Sequence, residues 1–143
     1  MTSAQAPGLP RRAKWLIYLV ITGLVAVLIW TQLPRGPYST DLSRIGQGRP
    51  ALVLAYDIKS MGGMEVMAMM DSLRSTYEDR VHFLVAPLGA PHGFAFGERH
   101  NAVNGTVVLF SDAGVAVRSL HQPADTATLQ RELDSLLKRP RAN

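Results

Sequence analysis

The sequence predicts an α/β domain in the order strand-helix-strand, helix, strand-strand-helix, preceded by one N-terminal transmembrane helix. Three observations carry this expectation. Trp15 to Leu33 holds no charged residue. Two short apolar runs, Ala51–Tyr56 and Val81–Ala86, bracket a segment with helical periodicity. After them come two β-rich runs joined by Ser111-Asp112-Ala113, and then a leucine stripe at helical spacing.

The first element is the anchor. WLIYLVITGLVAVLIWTQL would span roughly 28 Å as a helix, close to the thickness of a bilayer's hydrocarbon core. Trp15, Tyr18 and Trp30 fall near its ends, where amphipathic rings favour the interface, and Pro34 stops it. No Ala-x-Ala-like cleavage site follows, which argues against a removable signal peptide. Arg11, Arg12 and Lys14 precede the span and Arg35 follows it. The positive-inside rule therefore places residues 1–14 in the cytoplasm, as a short tail, and the remainder in the periplasm or cell exterior. Residues 34–49 read as a linker, broken by glycine and proline and holding a short helix near Asp41–Gln47. The domain proper is expected over 50–138, with a tail at 139–143.

Within the domain, Ala51–Tyr56 has the unbroken apolar character of a strand buried on both faces of a parallel sheet. From Met64 to Tyr77 the residues Val66, Met70, Leu73 and Tyr77 recur at helical spacing, predicting a helix that packs on that sheet. Val81–Ala86 is a second buried strand, parallel to the first. Phe94–Ala102 reads as a short irregular helix, interrupted by Gly97, with Phe94, Ala95 and Ala102 available for packing. Thr106–Phe110 and Gly114–Leu120 predict an antiparallel hairpin at a sheet edge. Asp125 can cap a final helix over Thr126–Leu137, whose stripe is Leu129, Leu133, Leu136 and Leu137.

Charge and composition exclude several function classes. The chain has 15 Lys and Arg against 11 Asp and Glu, but four of those cations flank the apolar span, leaving the rest formally neutral. A nucleic-acid surface needs clustered cations, so no nucleic-acid partner is expected. Cysteine is absent, which removes disulfides, thiolate metal sites and thiol nucleophiles.

The order of elements resembles the thioredoxin fold, over about Pro50 to Leu137. Thioredoxins run a buried strand into a Trp-Cys-x-x-Cys turn at the start of a helix; the corresponding turn here is Lys59-Ser60-Met61-Gly62-Gly63. The acid that follows in the family corresponds to Asp71, and the segment before the third strand, where the family has a cis-proline, is Val103-Asn104-Gly105-Thr106. Ser60 and Gly63 stand in the two cysteine positions and Gly105 in that of the proline. The resemblance thus implies a redox-inactive member of the superfamily, with no dithiol chemistry and no catalytic residue carried over. It leaves a peptide- or protein-binding face around Lys59, Ser60, Met61, Gly62, Gly63 and Met64, with Asn104, Gly105 and Thr106.

Two other patterns bear on function. Met61-x-x-Met64-x-x-Met67 resembles thioether spacings that hold Cu(I) in exported copper-handling proteins, since soft sulfur ligands select that ion. The alternative is a soft apolar contact surface, with the inner methionines filling the core. His82, His92, His100 and His121 show no paired metal spacing; His92 and His100 matter only as flanks of a segment that would fold over the methionine turn. Ser60 has neither a Gly-x-Ser-x-Gly setting nor a His-acid partner and reads as a helix N-cap, and Asp71 reads as a solvated helix residue. The expectation is a membrane-anchored, non-enzymatic binding or assembly module with no resident cofactor, a membrane or periplasmic protein as partner, and the bilayer contacted through residues 15–33. Copper binding or delivery through Met61, Met64 and Met67 is the alternative.

Overall fold

The computed structural model describes residues 11–32 and 36–139. They divide into two compact units, one ending at Pro37 and one beginning at Tyr38. The first contains helix α1, Arg11–Gln32. Its apolar side chains, Trp15, Leu16, Leu19 and Leu24 among them, stand exposed. No helix among the described residues is long and apolar enough to cross a membrane, and the expected span runs on to Leu33, which lies outside them.

The second unit opens with a 3-10 turn, Leu42–Arg44, followed by β1 (Ala51–Tyr56), α2 (Met61–Tyr77), β2 (His82–Pro87), α3 (Pro91–His100), β3 (Thr106–Phe110), β4 (Ala116–His121) and α4 (Thr126–Lys138). The four strands form one sheet in the order β2-β1-β3-β4. β1 runs parallel to β2 and antiparallel to β3, and β3 and β4 form the antiparallel edge pair.

Period-two alternation sorts the sheet residues into two cores. Leu52, Leu54, Phe83, Val85, Val107 and Leu109 face α2 and α4, where they meet Val66, Met70, Leu73, Tyr77, Leu129 and Leu133. Ala51, Val53, Ala55, Leu84, Ala86, Val108 and Phe110 face α3 and the 3-10 turn, against Phe96, Leu42 and Ile45. This is why β1 and β2 read as unbroken apolar runs: both faces are covered. Each fully buried leucine contributes about 1.5–3 kcal/mol. One polar group is built into the larger core: the Tyr77 hydroxyl donates to Asp134 Oδ1 at 2.7 Å, joining α2 to α4. Tyr77→Phe should lower stability by about 1 kcal/mol in urea unfolding, the net worth of one such bond.

Several boundaries differ from the sequence expectation. α2 starts at Met61 rather than Met64, so both glycines lie in its first turn. α3 spans Pro91–His100 and is regular: Pro91 suits the first helical position, and Asn101, left-handed at φ 49°, closes the helix with its N–H on the Gly97 carbonyl. Its phase also differs. Gly93 and Phe96 are buried, whereas Phe94 and Ala95 point outward. The edge strand β4 begins at Ala116, and a register shift against Leu109 and Phe110 breaks its alternation, so Val117 and Leu120 both reach the α2–α4 core.

The segment expected as linker contributes to the fold from Tyr38 onward. Ser39 forms a parallel bridge with Leu84, its carbonyl accepting Val85 N–H at 3.0 Å. The Tyr38 hydroxyl donates to Asp71 Oδ1, and the Arg74 guanidinium stacks 4.7 Å over the Tyr38 ring. Asp71 is exposed, as expected, but it holds a partner.

Candidate functional site

β1 delivers the chain to Asp57-Ile58-Lys59-Ser60 at the end of the sheet where α2 starts. Ser60 occupies the N-cap position with extended backbone, but its side chain makes no capping hydrogen bond. Asp57 organises the turn instead: its Oδ1 accepts Lys59 N–H at 3.0 Å and its carbonyl accepts Ser60 N–H at 3.1 Å.

The loop before β3 closes on this turn. Asn104 Oδ1 accepts Asp57 N–H at 2.8 Å across 47 residues of sequence. Gly105 adopts φ +82°, a conformation side-chain-bearing residues rarely take. Its N–H reaches the Ala55 carbonyl at 2.9 Å, and its carbonyl accepts Gln122 N–H at 3.0 Å. The two α2 glycines make the close approach possible. A Cβ at Gly63 would overlap Asn104 Oδ1 and lie 2.7 Å from Tyr56 Cδ2; one at Gly62 would lie 2.5 Å from Gln122 Nε2. No cis peptide bond occurs among the described residues.

The structure therefore brings together Gly62, Gly63, Asn104 and Gly105. Gly63, Gly105 and Thr106 are buried and form its floor, with the Thr106 hydroxyl 3.1 Å from His121 Nδ1. Lys59, Ser60, Met61 and Met64 are exposed. Around them stand Ile58 and Val103, also exposed, which sequence reasoning did not single out. Gln122 was equally invisible: a left-handed residue after β4 carries no local sign that its side chain lies over Gly62.

The methionines split by depth. Met61 and Met64 are exposed, while Met67 is half-buried against the α2–α4 core. With Met61 inside α2, it sits roughly 9 Å along the axis from Met67. His92 and His100 do not fold over the methionine turn. They lie on α3, across the sheet from α2, and His100 packs on Phe96 and Phe110 at ring distances of 4.7 and 5.1 Å. Among the described residues no group of three His, Asp or Glu side chains converges as a metal site.

Two histidines make stability pH-dependent. Burial, reinforced by the Arg99 charge, holds His100 below its ordinary pKa; burial, with Arg44 and Arg49, does the same for His82. The folded state then binds fewer protons than the unfolded chain, so this contribution is intact above about pH 6.5 and is lost as pH falls through the folded values. The melting temperature should drop between pH 7 and 5.5, and a chain with His82→Gln and His100→Gln should show a flatter profile.

No protein-family profile matches the chain, and no curated protein does. Solved structures do match. Thioredoxin O2 of Arabidopsis thaliana, in its oxidised state, superposes with TM-score 0.55 at 16% identity, covering 67% of this chain and 85% of that one. A yeast mitochondrial 1-Cys peroxiredoxin gives TM-score 0.58 at 17% identity, with 69% and 95% covered. A malarial protein gives 0.53 at 12%, with 62% and 98% covered. The fold is thioredoxin-like. Those neighbours at these identities speak to architecture, and the chain carries no cysteine with which to repeat thiol chemistry.

Proposed function

We propose that this chain is a membrane-anchored, redox-inactive thioredoxin-like module that binds a protein partner at the mouth of α2, on the outer side of the membrane. One observation carries the reading: Ile58, Met61, Met64 and Val103 are exposed apolar side chains at the position where the fold places its reactive turn, in a chain without cysteine. Exposed large apolar groups gathered at one end of a domain favour association, and methionine suits an adaptable surface. The anchor rests on the uncharged Trp15–Leu33 stretch and the cations preceding it.

The test is a photo-crosslinking residue at position 61 of the full chain in its native membrane, with the same residue at Ser119 on β4 as control. A defined adduct from position 61 and none from 119 supports the reading. Equal labelling, or none at 61, overturns it. A phosphatase fused after Asn143 should be active, as an exported C-terminus requires, and insulin reduction should be blank.

A second reading, Cu(I) held by Met61 and Met64 with help from Met67, is supported by the exposure of the first two. Stoichiometric Cu(I) uptake that Met61→Leu and Met64→Leu abolish would favour it over docking.

A further inference from the structure

A hollow of about 490 Å³ lies on the other face of the sheet, between the 3-10 turn and α3. It is separate from the α2 mouth and independent of the docking reading. Leu42, Ile45, Phe96 and Phe110 supply apolar lining. The polar side chains that line it are His92, Arg99 and His100, and no carboxylate does. Arg99 is exposed and makes no ion pair among the described residues. His100 is fixed by aromatic contact: its ring stands edge-on to Phe110 and tilted against Phe96.

These features narrow the ligand. The volume lies within the range of about 300–1,000 Å³ typical of small-molecule sites. The polar edge offers one permanent positive charge and N–H donors, which suits a monoanion and repels a cation. Arginine's planar fork matches a carboxylate in bidentate fashion, while a single guanidinium is too little to neutralise a dianion. We propose that this hollow binds a carboxylate with an apolar body, the body against Phe96, Phe110, Leu42 and Ile45 and the carboxylate at Arg99 and His100.

The site also predicts a signature that simple hydrophobic adsorption lacks. Free of ligand, burial and the Arg99 charge hold the His100 pKa below its ordinary value. An anion seated beside it favours the charged imidazolium, so occupancy should raise the His100 pKa.

The experiment uses the full isotope-labelled chain in lipid nanodiscs, titrated separately with 2-naphthoate, octanoate and the matched cation 2-naphthylmethylamine. The expected result is saturable amide shifts on α3 with the carboxylates, none with the amine, and an upward shift of the His100 titration. Tighter naphthoate binding assigns an aromatic body, tighter octanoate binding an acyl chain. Arg99→Gln should weaken carboxylate binding about tenfold, which corresponds to losing one charge-assisted contact. Ala95→Trp, which fills the hollow from an outward-facing position, should abolish binding while the rest of the spectrum stays native. Absence of saturable shifts with both carboxylates, equal binding of the amine, or unchanged affinity in Arg99→Gln would overturn the proposal.

Discussion

Gly93→Ala should destabilise the domain by about 3 kcal/mol, a large share of the roughly 5–15 kcal/mol that holds a typical domain folded. A Cβ at this position overlaps the Pro87 carbonyl and lies 2.8 Å from Pro87 N. The obstacle is backbone at the end of β2, so no side chain can swing aside. Helix propensity alone predicts the opposite sign, since alanine is favoured over glycine inside a helix by about 1 kcal/mol. The two effects compete directly, and steric overlap with main chain wins because α3 can relieve it only by lifting Phe96 off Phe110. Chemical denaturation decides the matter: a variant equal to or more stable than the parent would show that α3 does not sit this close to β2.

Gly63→Ala should cost about 2 kcal/mol by the same competition, in a setting where both obstacles are side chains that can give a little. The added methyl group meets Asn104 Oδ1 and the Tyr56 ring. Asn104→Ala alone should cost about 1–2 kcal/mol, because it strips the partly buried Asp57 N–H of its acceptor. Combining the two changes should cost less than their sum by about 1 kcal/mol, since the second removes an atom with which the first collides. Strict additivity in the double-mutant cycle would mean that α2 and the loop before β3 are not in contact. Gly62→Ala is the internal control. Its obstacle is the far end of Gln122, which can rotate away, so its effect should be small.

These glycines also show what could and could not be read from the chain. The strands were legible because β1 and β2 are buried on both faces and so carry no polar alternation, and because β3 and β4 are neighbours in sequence as well as in the sheet. The stripes of α2 and α4 were legible for the same local reason: Val66, Met70, Leu73 and Tyr77, or Leu129, Leu133 and Leu136, repeat within one element. Helix starts were harder. Gly62-Gly63 signals a turn by propensity, and only the long-range approach of Asn104 and Gln122 explains why they are helical. The phase of α3 was lost in the same way, since Gly93 is inward because β2 passes close by. Of the candidate site, the exposed Lys59–Met64 segment was visible as a turn between two clear elements. The loop that closes on it, with Asn104, Gly105 and Thr106, was visible through the resemblance to thioredoxins. Ile58 and Val103 are chain neighbours of these segments whose exposure only the fold reveals, Gln122 joins them through a tertiary contact, and the clasp of Tyr38 on Asp71 likewise leaves no periodic trace.

The register shift in β4 has a consequence for how copies of this domain coexist. β4 ends the sheet, with its outer backbone edge unpaired among the described strands. A flat edge of that kind is a template on which a second sheet can grow. The bulge opposite Leu109 and Phe110 twists the strand, and Arg118, tied to Glu132 at 3.4 Å, sets a charge beside it. The irregularity that broke the apolar alternation thus also makes this edge a poorer template for a second sheet.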